Sequence, residues 1–212
     1  MNGRGRAGKV FALASPPTVA YTHSVSILRA VKAPSASALS PEYALLGLLR
    51  QQPDHGYELH QRLRNELGHI WHVSQSQVYN ILNRLEASGL IVSTVQEQAK
   101  LPARHRFRLT PAGRRHFDHW LHTPTGSSGR AIRVEFTTRL YFAIALDRDL
   151  ARELIELQVH TVQTGLDRLQ HVLAGLPAEQ VFNRLGLELR IRQLSSIADW
   201  LSDCRATLGL AT

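Results

Sequence analysis

The segment from Val73 to Ile91 constrains the fold of this chain more than any other part of the sequence. Its apolar residues recur with the period of an α-helix, at Val78, Ile81, Leu82 and Leu85. Gly89 ends this pattern, and strand-like alternation follows directly. The sequence therefore predicts an amphipathic helix over Ser74–Ser88 that buries one face and leads into a β-hairpin.

The other face of this predicted helix is rich in amides and hydroxyls. Amide and guanidinium groups can bond to base edges in a DNA major groove, and hydroxyls and arginines also bind phosphates. We therefore predict that this helix binds DNA through Ser74, Gln75, Ser76, Gln77, Tyr79, Asn80, Asn83 and Arg84. The alternative is a solvated helix face without a ligand, and for Tyr79 simple packing is an equal alternative.

The hairpin after the helix is basic. Alternation predicts strands over Leu90–Val95 and His105–Leu109, with Gln96–Arg104 as the tip. Three arginines two residues apart share one strand face, where they are costly to bury and well placed for phosphates or a narrow minor groove. The predicted DNA contacts of the hairpin are Lys100, Arg104, Arg106 and Arg108. The alternative is an edge strand whose charges only discourage aggregation.

Charge and composition divide the chain into regions. The formal net charge of +8 lies before residue 123, because acids and bases balance in the remainder. We predict a basic leader over 1–39 that is disordered or unrelated to the rest, a DNA-binding domain over 40–122, a linker over 123–130 and a helical domain over 131–212. The expected fold is mainly α with a small β-hairpin: a winged helix-turn-helix followed by a C-terminal helical dimerisation domain.

The last predicted helix, over residues 178–208, carries two apolar rows. Two rows make a wider stripe than a single contact surface usually needs. We therefore predict a homodimer. Its expected interface residues are Leu187, Ile191, Leu194, Ile197, Trp200 and Leu201.

Several function classes have no signature in the sequence. A single cysteine, Cys204, rules out an intrachain disulfide and favours a reducing compartment, so we expect a cytoplasmic protein. No apolar run is long enough for a membrane span. Phosphate-binding loops, nucleophile elbows and helical metal motifs are missing, and the histidines at 116, 119 and 122 fit a solvated face better than a metal site. We expect no enzymatic activity, cofactor or metal.

Five short motifs stand in order between residues 40 and 122: Ala44–Leu49, His55–Leu59, Val78-Tyr79 with Leu82 and Arg84–Glu86, Gly89–Ile91, and Arg108–Gly113. Together they resemble the PadR family of bacterial transcriptional regulators. The tail over 135–208 resembles the longer helical domain of one PadR subgroup. The sequence departs from the family at Gln77 and Asn80, where glycine and proline are frequent, and these departures bear on which operator sequence is read.

The resemblance implies a winged helix-turn-helix that binds an inverted-repeat operator in double-stranded DNA, a dimer formed by the C-terminal helices, and repression. It also implies release by a small aromatic molecule such as a phenolic acid. Aromatic walls suit a planar ligand, and the candidates are Tyr43, Trp71, Tyr141, Phe142 and His160. Ordinary core packing is the alternative for each. Two other functions stay open: a DNA-binding regulator controlled by a protein partner or by abundance, and a small enzyme.

Overall fold

A computed structural model describes the chain over residues 40–98 and 101–210, with only the backbone at 97, 98 and 101–103. The predicted leader and the predicted DNA contact Lys100 lie outside the described residues. Everything below concerns the described part of the chain.

Three helices form the first part of the core. They are α1 (Glu42–Gln51), α2 (Gly56–Leu67) and α3 (Gln75–Ala87). The buried residues of α3 are Val78, Ile81, Leu82 and Leu85. The apolar face expected from the helical period is therefore confirmed, and it packs beside the fully buried leucines of α1 and α2.

A three-stranded antiparallel sheet combines a short strand between α1 and α2 with the hairpin that follows α3. Its strands are β1 (Asp54–His55), β2 (Ile91–Gln98) and β3 (Leu101–Leu109), in the order β1-β3-β2. Pairing between β2 and β3 runs from Ile91↔Leu109 to Gln98↔Leu101, with an irregularity near the tip. The predicted tip of Gln96–Arg104 was therefore too long, because polar residues on both strands hide the alternation. The alternative of an edge strand does not hold for β3 at Arg106 and Phe107, where β1 pairs with it and makes it the central strand.

Helix α4 (Pro111–His122) continues the winged-helix unit. Thr110 caps it by accepting a hydrogen bond from the Gly113 amide at 3.0 Å. A Cβ atom at Gly113 would come within 1.9 Å of the Leu90 carbonyl oxygen, so α4 can approach β2 only with glycine here. Phe117, Trp120 and Leu121 are buried as their helical spacing predicts.

The C-terminal part is helical throughout. It comprises α5 (Gly129–Ala131), a π-helical segment (Ile132–Phe136), α6 (Thr137–Leu146), α7 (Arg148–Ala174) and α8 (Val181–Thr207). Residues 132–146 are helical, with a π-helical start. The Asp147 side chain caps α7 through the Asp149 amide at 2.8 Å. Within the described residues, no helix is long and apolar enough to cross a membrane.

Helix α6 joins the two parts of the fold. Phe142 is fully buried and lies against Gly47 of α1, where an added Cβ would come within 2.3 Å of its ring. It also meets Phe117 of α4 edge-on at 5.5 Å. A mainly helical protein with a small sheet, arranged as a winged helix followed by C-terminal helices, confirms the predicted fold class.

Candidate nucleic-acid interface

The start of α3 is fixed by a reciprocal pair of side-chain hydrogen bonds. Ser74 Oγ accepts from the Gln77 amide at 3.3 Å, and Gln77 Oε1 accepts from the Ser74 amide at 2.8 Å. This is a capping box, which satisfies two backbone amides that the helix leaves unpaired. Ser76 Oγ lies 3.1 Å from Ser74 Oγ. Three predicted DNA contacts therefore also set the helix start, and Gln77 keeps its NH₂ group and one lone pair of Oε1 for a base edge.

The outer face of α3 carries the remaining amides. Gln75, Asn80 and Asn83 are exposed. No side-chain hydrogen bond holds any of the three within the described part of the chain. Their donors and acceptors are thus available to a ligand, as bidentate contact with a base edge requires.

Arg84 differs from its neighbours because it is already paired. Its Nε donates to Glu42 Oε1 at 2.6 Å, which ties the end of α3 to the start of α1. The Arg84 side chain is still 63% exposed. A phosphate contact by Arg84 would have to compete with this carboxylate.

Tyr79 packs on the first residue of α2. A Cβ atom at Gly56 would lie 2.6 Å from Tyr79 Cε1, so glycine makes room for the ring. Tyr79 nevertheless keeps 38% of its surface exposed, and both roles considered for it remain open. Tyr57 beside Gly56 is 51% exposed. The sequence analysis did not choose Tyr57 as a DNA contact. Its position in the first turn of α2, directly after a short polar turn, could have indicated that it is exposed.

The hairpin of β2 and β3 is the wing of this fold. Its arginines lie on the face of β3 opposite the core. Phe107 is buried, whereas Arg104, Arg106 and Arg108 are exposed. Arg104 pairs with Glu58 of α2 at 3.8 Å.

No carboxylate pairs with the other two arginines in the described part of the chain. Arg106 donates to the Pro53 carbonyl oxygen at 3.4 Å, which orients the side chain without neutralising it. Arg108 has no ion pair among the described residues.

A carboxylate connects α3 to the wing. Glu86 Oε1 accepts from the Ser93 hydroxyl at 2.7 Å and from the Ser93 amide at 2.8 Å. These two bonds, the hydroxyl bond first, hold the pKa of Glu86 below its ordinary value. The wing and the helix are therefore held in one arrangement by a group that is ionised at neutral pH.

Two of the predicted effector residues are part of the core. Phe142 is fully buried. Tyr43 stacks between the rings of Trp120, at 4.6 Å, and His116, at 5.4 Å. Burial raises the pKa of Tyr43. Ordinary packing describes these two residues better than a ligand site does.

Of the other three predicted effector residues, Tyr141 meets the Phe142 ring edge-on at 4.9 Å, whereas Trp71 and His160 have no ring contact with another candidate in the described chain. Trp71 Nε1 donates to Thr138 Oγ1 at 2.9 Å. The Tyr141 hydroxyl donates to Glu66, and burial followed by this bond raises the pKa of Tyr141. His160 is exposed on α7, and neither a hydrogen bond nor a ring contact joins it to the other four candidates in the described chain. The structure does not gather the five into one pocket.

A cavity of about 300 Å³ lies at the turn between α2 and α3. It is lined by Leu63, Arg64, Gly68, Trp71, His72 and Val73. Of the five predicted effector residues it contains Trp71 alone. Across residues 40–98 and 101–210, no three His, Cys, Asp or Glu side chains are grouped as metal ligands would be.

A buried ion pair lies where α4, the linker and α6 meet. Arg139 and Glu135 are each 2% exposed in their side chains and pair at 2.5 Å. Arg139 also donates to Thr125 Oγ1 at 2.8 Å and lies over the Trp120 ring at 4.8 Å. Burial raises the pKa of Glu135 and lowers that of Arg139, while their mutual attraction opposes both shifts. Sequence reasoning missed this pair, since charged residues on a helix ordinarily face solvent.

The predicted dimer residues divide into two groups. Leu187, Leu194 and Leu201 are at most 9% exposed within the single chain, and Leu194 Cδ1 lies 3.4 Å from a Cβ position at Gly165 of α7. These three are not open to a partner, which corrects the prediction, because one of the two apolar rows packs on α7.

The remaining three dimer residues are partly open. Ile191 and Ile197 are half-buried at the edge of the core, and Trp200 is 38% exposed with its ring edge-on to Phe136. A different apolar row on α8 is more exposed. It consists of Val181, Phe182, Leu185 and Leu189, which are 53%, 89%, 54% and 58% exposed.

Two family models match the chain. The model of the PadR-like family of transcriptional regulators matches residues 45–119, and that of the virulence activator alpha C-terminal region matches residues 132–209. The negative transcriptional regulator PadR of Bacillus subtilis is 31% identical over 131 residues, which are 61% of this chain and 70% of that protein. A protein of Mycobacterium tuberculosis named as a probable transcriptional regulator is 24% identical over 78% of this chain and 96% of its own.

Two solved structures of Bacillus subtilis PadR are similar to the chain. One, in complex with operator DNA, is 27% identical and has a TM-score of 0.38, covering 79% of this chain and 98% of that one. The other, in complex with p-coumaric acid, is 26% identical and has a TM-score of 0.35, covering 80% and 98%. These superpositions are loose, so the family assignment rests on the sequence match. By its identity to the Bacillus subtilis regulator and the match of its first part, this chain belongs to the PadR-like family of transcriptional regulators.

Proposed function

We propose that this protein is a dimeric, sequence-specific DNA-binding repressor. The observation that carries the proposal is the outer face of α3, where Gln75, Asn80 and Asn83 hold unpaired amides beside a basic wing. In this arrangement α3 lies in a major groove and reads base edges, while the wing lies on the flanking backbone. The name of the Bacillus subtilis relative, a negative regulator, supports repression.

A dimer explains how such a module gains affinity and specificity. Two copies of α3 related by a twofold axis read two half-sites about one helical turn apart, so the proposed operator is an inverted repeat. We propose that the dimer forms through the apolar row Val181, Phe182, Leu185 and Leu189, together with Trp200. Exposed apolar rows of this size are uncommon on a monomer and typical of protein contacts.

Release by a small aromatic molecule is the finer part of the proposal. The Bacillus subtilis relative, matched by sequence, has been solved in complex with p-coumaric acid, and this supports it. Such a ligand can act only if it prefers a state that does not bind DNA. The alternative is a DNA-binding regulator without a small-molecule effector, controlled by a partner protein or by abundance. Tyr43 and Phe142 pack in or against the core and His160 lies apart from it, so Tyr43, Trp71, Tyr141, Phe142 and His160 favour no single ligand site.

Binding to the promoter region of its own gene tests the proposal. Purified full-length protein should retard that fragment at lower concentration than an unrelated duplex of equal length. If each protomer neutralises about three phosphates, log K should fall with log salt at a slope of about −5. Equal affinity for both duplexes would contradict sequence-specific recognition.

Asn80→Ala separates base reading from general attraction. The substitution should weaken binding to the promoter fragment by about 1–3 kcal/mol and leave binding to the unrelated duplex unchanged. Gln170→Ala on α7 is the matched control, because it removes an exposed amide outside the winged-helix unit. Fluorescence anisotropy measures all four affinities.

A phenolic acid titration distinguishes the two forms of the proposal. Trp71 and Trp200 are partly exposed and Trp120 is buried, so a ligand close to any of them should change the emission. Saturable quenching together with loss of promoter binding would support an effector. Unchanged emission and unchanged DNA affinity across the series would favour control by a partner or by abundance.

A further inference from the structure

The turn between α2 and α3 is held by few contacts. The amides of Ile70 and Trp71 both donate to the Leu67 carbonyl oxygen, at 2.9 and 2.8 Å. His60 Nε2 donates to the Val73 carbonyl oxygen at 3.2 Å. The cavity of about 300 Å³ opens beside the same turn. The path of the chain into α3 therefore depends on what holds Trp71.

Trp71 is held by α6. Its indole Nε1 donates to Thr138 Oγ1 at 2.9 Å, across 67 residues of sequence. Thr138 is fully buried, so its hydroxyl has no water with which to replace this partner. A buried polar group that loses its hydrogen-bond partner costs its full desolvation free energy. Breaking the bond between Trp71 and Thr138 is therefore unfavourable.

The Thr138 hydroxyl has a second role that fixes its position. It donates to the Val134 carbonyl oxygen at 2.6 Å, inside the π-helical segment that precedes α6. Thr137 Oγ1 likewise donates to the Ile132 carbonyl oxygen at 3.1 Å. In this wider segment the side chains supply bonds to carbonyl oxygens. The Thr138 oxygen is thus a donor toward the helix and an acceptor toward Trp71, with its direction set by both.

A neighbouring contact ties the preceding helix to the same face. The Tyr141 hydroxyl, one turn further along α6, donates to Glu66 in the last turn of α2. Helix α6 therefore contacts the chain just before the end of α2, through Tyr141 and Glu66, and just after it, through Thr138 and Trp71. The start of α3, with its Ser74 cap, follows Trp71 by three residues.

We propose that Thr138 is a positioning residue for DNA recognition, which orients the recognition helix α3 by holding Trp71. This inference rests on the proposed function and adds to it the path by which the C-terminal helices act on the DNA-binding face. A shift of the π-helical segment moves the Thr138 hydroxyl, releases Trp71 and lets the turn relax toward the adjacent cavity. Specific binding then falls, because two recognition helices no longer match two half-sites, whereas attraction to phosphates is unaffected.

Thr138→Val tests the inference, since it removes the hydroxyl and keeps the shape. We expect affinity for the promoter fragment to fall about five- to tenfold, the effect of one hydrogen bond. Affinity for an unrelated duplex and the salt slope should not change. Thr138→Ser, which retains the hydroxyl, should restore most of the loss. Trp71→Phe should cause the same loss, and the double variant should lose no more than either single one.

Thr137→Val is the matched control. It also removes a hydroxyl bonded to a carbonyl oxygen in the π-helical segment, but Thr137 has no hydrogen bond to Trp71 in the described chain. It should lower the melting temperature comparably and leave DNA affinity unchanged.

Hydrogen exchange supplies a readout independent of DNA. The amides of the turn at 70–75 should exchange faster in Thr138→Val than in Thr137→Val. Equal DNA affinities for Thr138→Val and wild type, or equal losses for the two valine variants, would overturn the inference. Failure of the wild-type protein to prefer its promoter would overturn the proposed function and this inference with it.

Discussion

An arginine attracts phosphate in proportion to the charge that its own protein leaves unpaired. Arg84 is bonded to Glu42 and Arg104 lies near Glu58, so in each case a phosphate would compete with a carboxylate of the protein itself. Arg106 donates to a neutral carbonyl oxygen, which fixes its direction and keeps its charge. Arg104, Arg106 and Arg108 shared one predicted strand face, and only the fold distinguishes their pairing.

Arg106→Ala should therefore weaken binding to every duplex alike. The salt slope should become shallower by about 1 for each phosphate that the wing no longer neutralises. Arg168→Ala on α7 is the control, since it removes an exposed arginine from a helix outside the winged-helix unit. Affinities measured from about 50 to 200 mM salt provide the slopes. Unchanged binding of Arg106→Ala at every salt concentration would remove the wing from the proposed interface.

At the scale of elements, the helices were predictable and the sheet was only partly so. The period of Val78, Ile81, Leu82 and Leu85 determined the buried face of α3 because the segment packs on one side only. Strand β1 could not be found this way. It has two residues, and it is a strand only because β3 lies beside it.

Helix α4 can lie close to the start of β2 only because residue 113 has no side chain. Gly113→Ala places a methyl group 1.9 Å from the Leu90 carbonyl oxygen, so α4 must move away from β2. We expect the free energy of unfolding to fall by at least about 2 kcal/mol, as overpacking does, despite the better helix propensity of alanine. Gly129→Ala meets only Ile197 Cδ1 at 3.9 Å and should change stability by less than about 0.5 kcal/mol. Urea unfolding compares the two, and equal stabilities would contradict this packing argument.

For the whole molecule, the sequence indicated a partner but not the surface that meets it. Helix α8 carries two apolar rows, and the period alone cannot say which one packs inside its own chain. The structure buries Leu187, Leu194 and Leu201 within the chain and leaves exposed a further row, Val181, Phe182, Leu185 and Leu189, which the prediction did not include. Tyr43 and Phe142 were chosen as effector candidates but pack with the core for a related reason. Aromatic side chains that line a pocket and those that fill a core look alike in a sequence.

The exposed row gives the assembly a direct test. Phe182→Arg combined with Leu189→Arg puts charge where both side chains already face solvent, at 89% and 58% exposure, so each protomer should keep its fold and helical circular dichroism. Light scattering should give the mass of a monomer. Affinity for a duplex with two half-sites should fall at least about a hundredfold, because the second recognition helix no longer arrives tethered to the first.

Ser195→Arg is the control for that variant. It adds the same charge to α8 at an exposed position, roughly 140° around the helix from Phe182 at about 100° per residue. It should remain dimeric and bind DNA as the wild type does. A double arginine variant that stays dimeric would place the contact elsewhere on the C-terminal helices. If the variant became monomeric but kept its full DNA affinity, one protomer would suffice for recognition, and the operator would not need to be an inverted repeat.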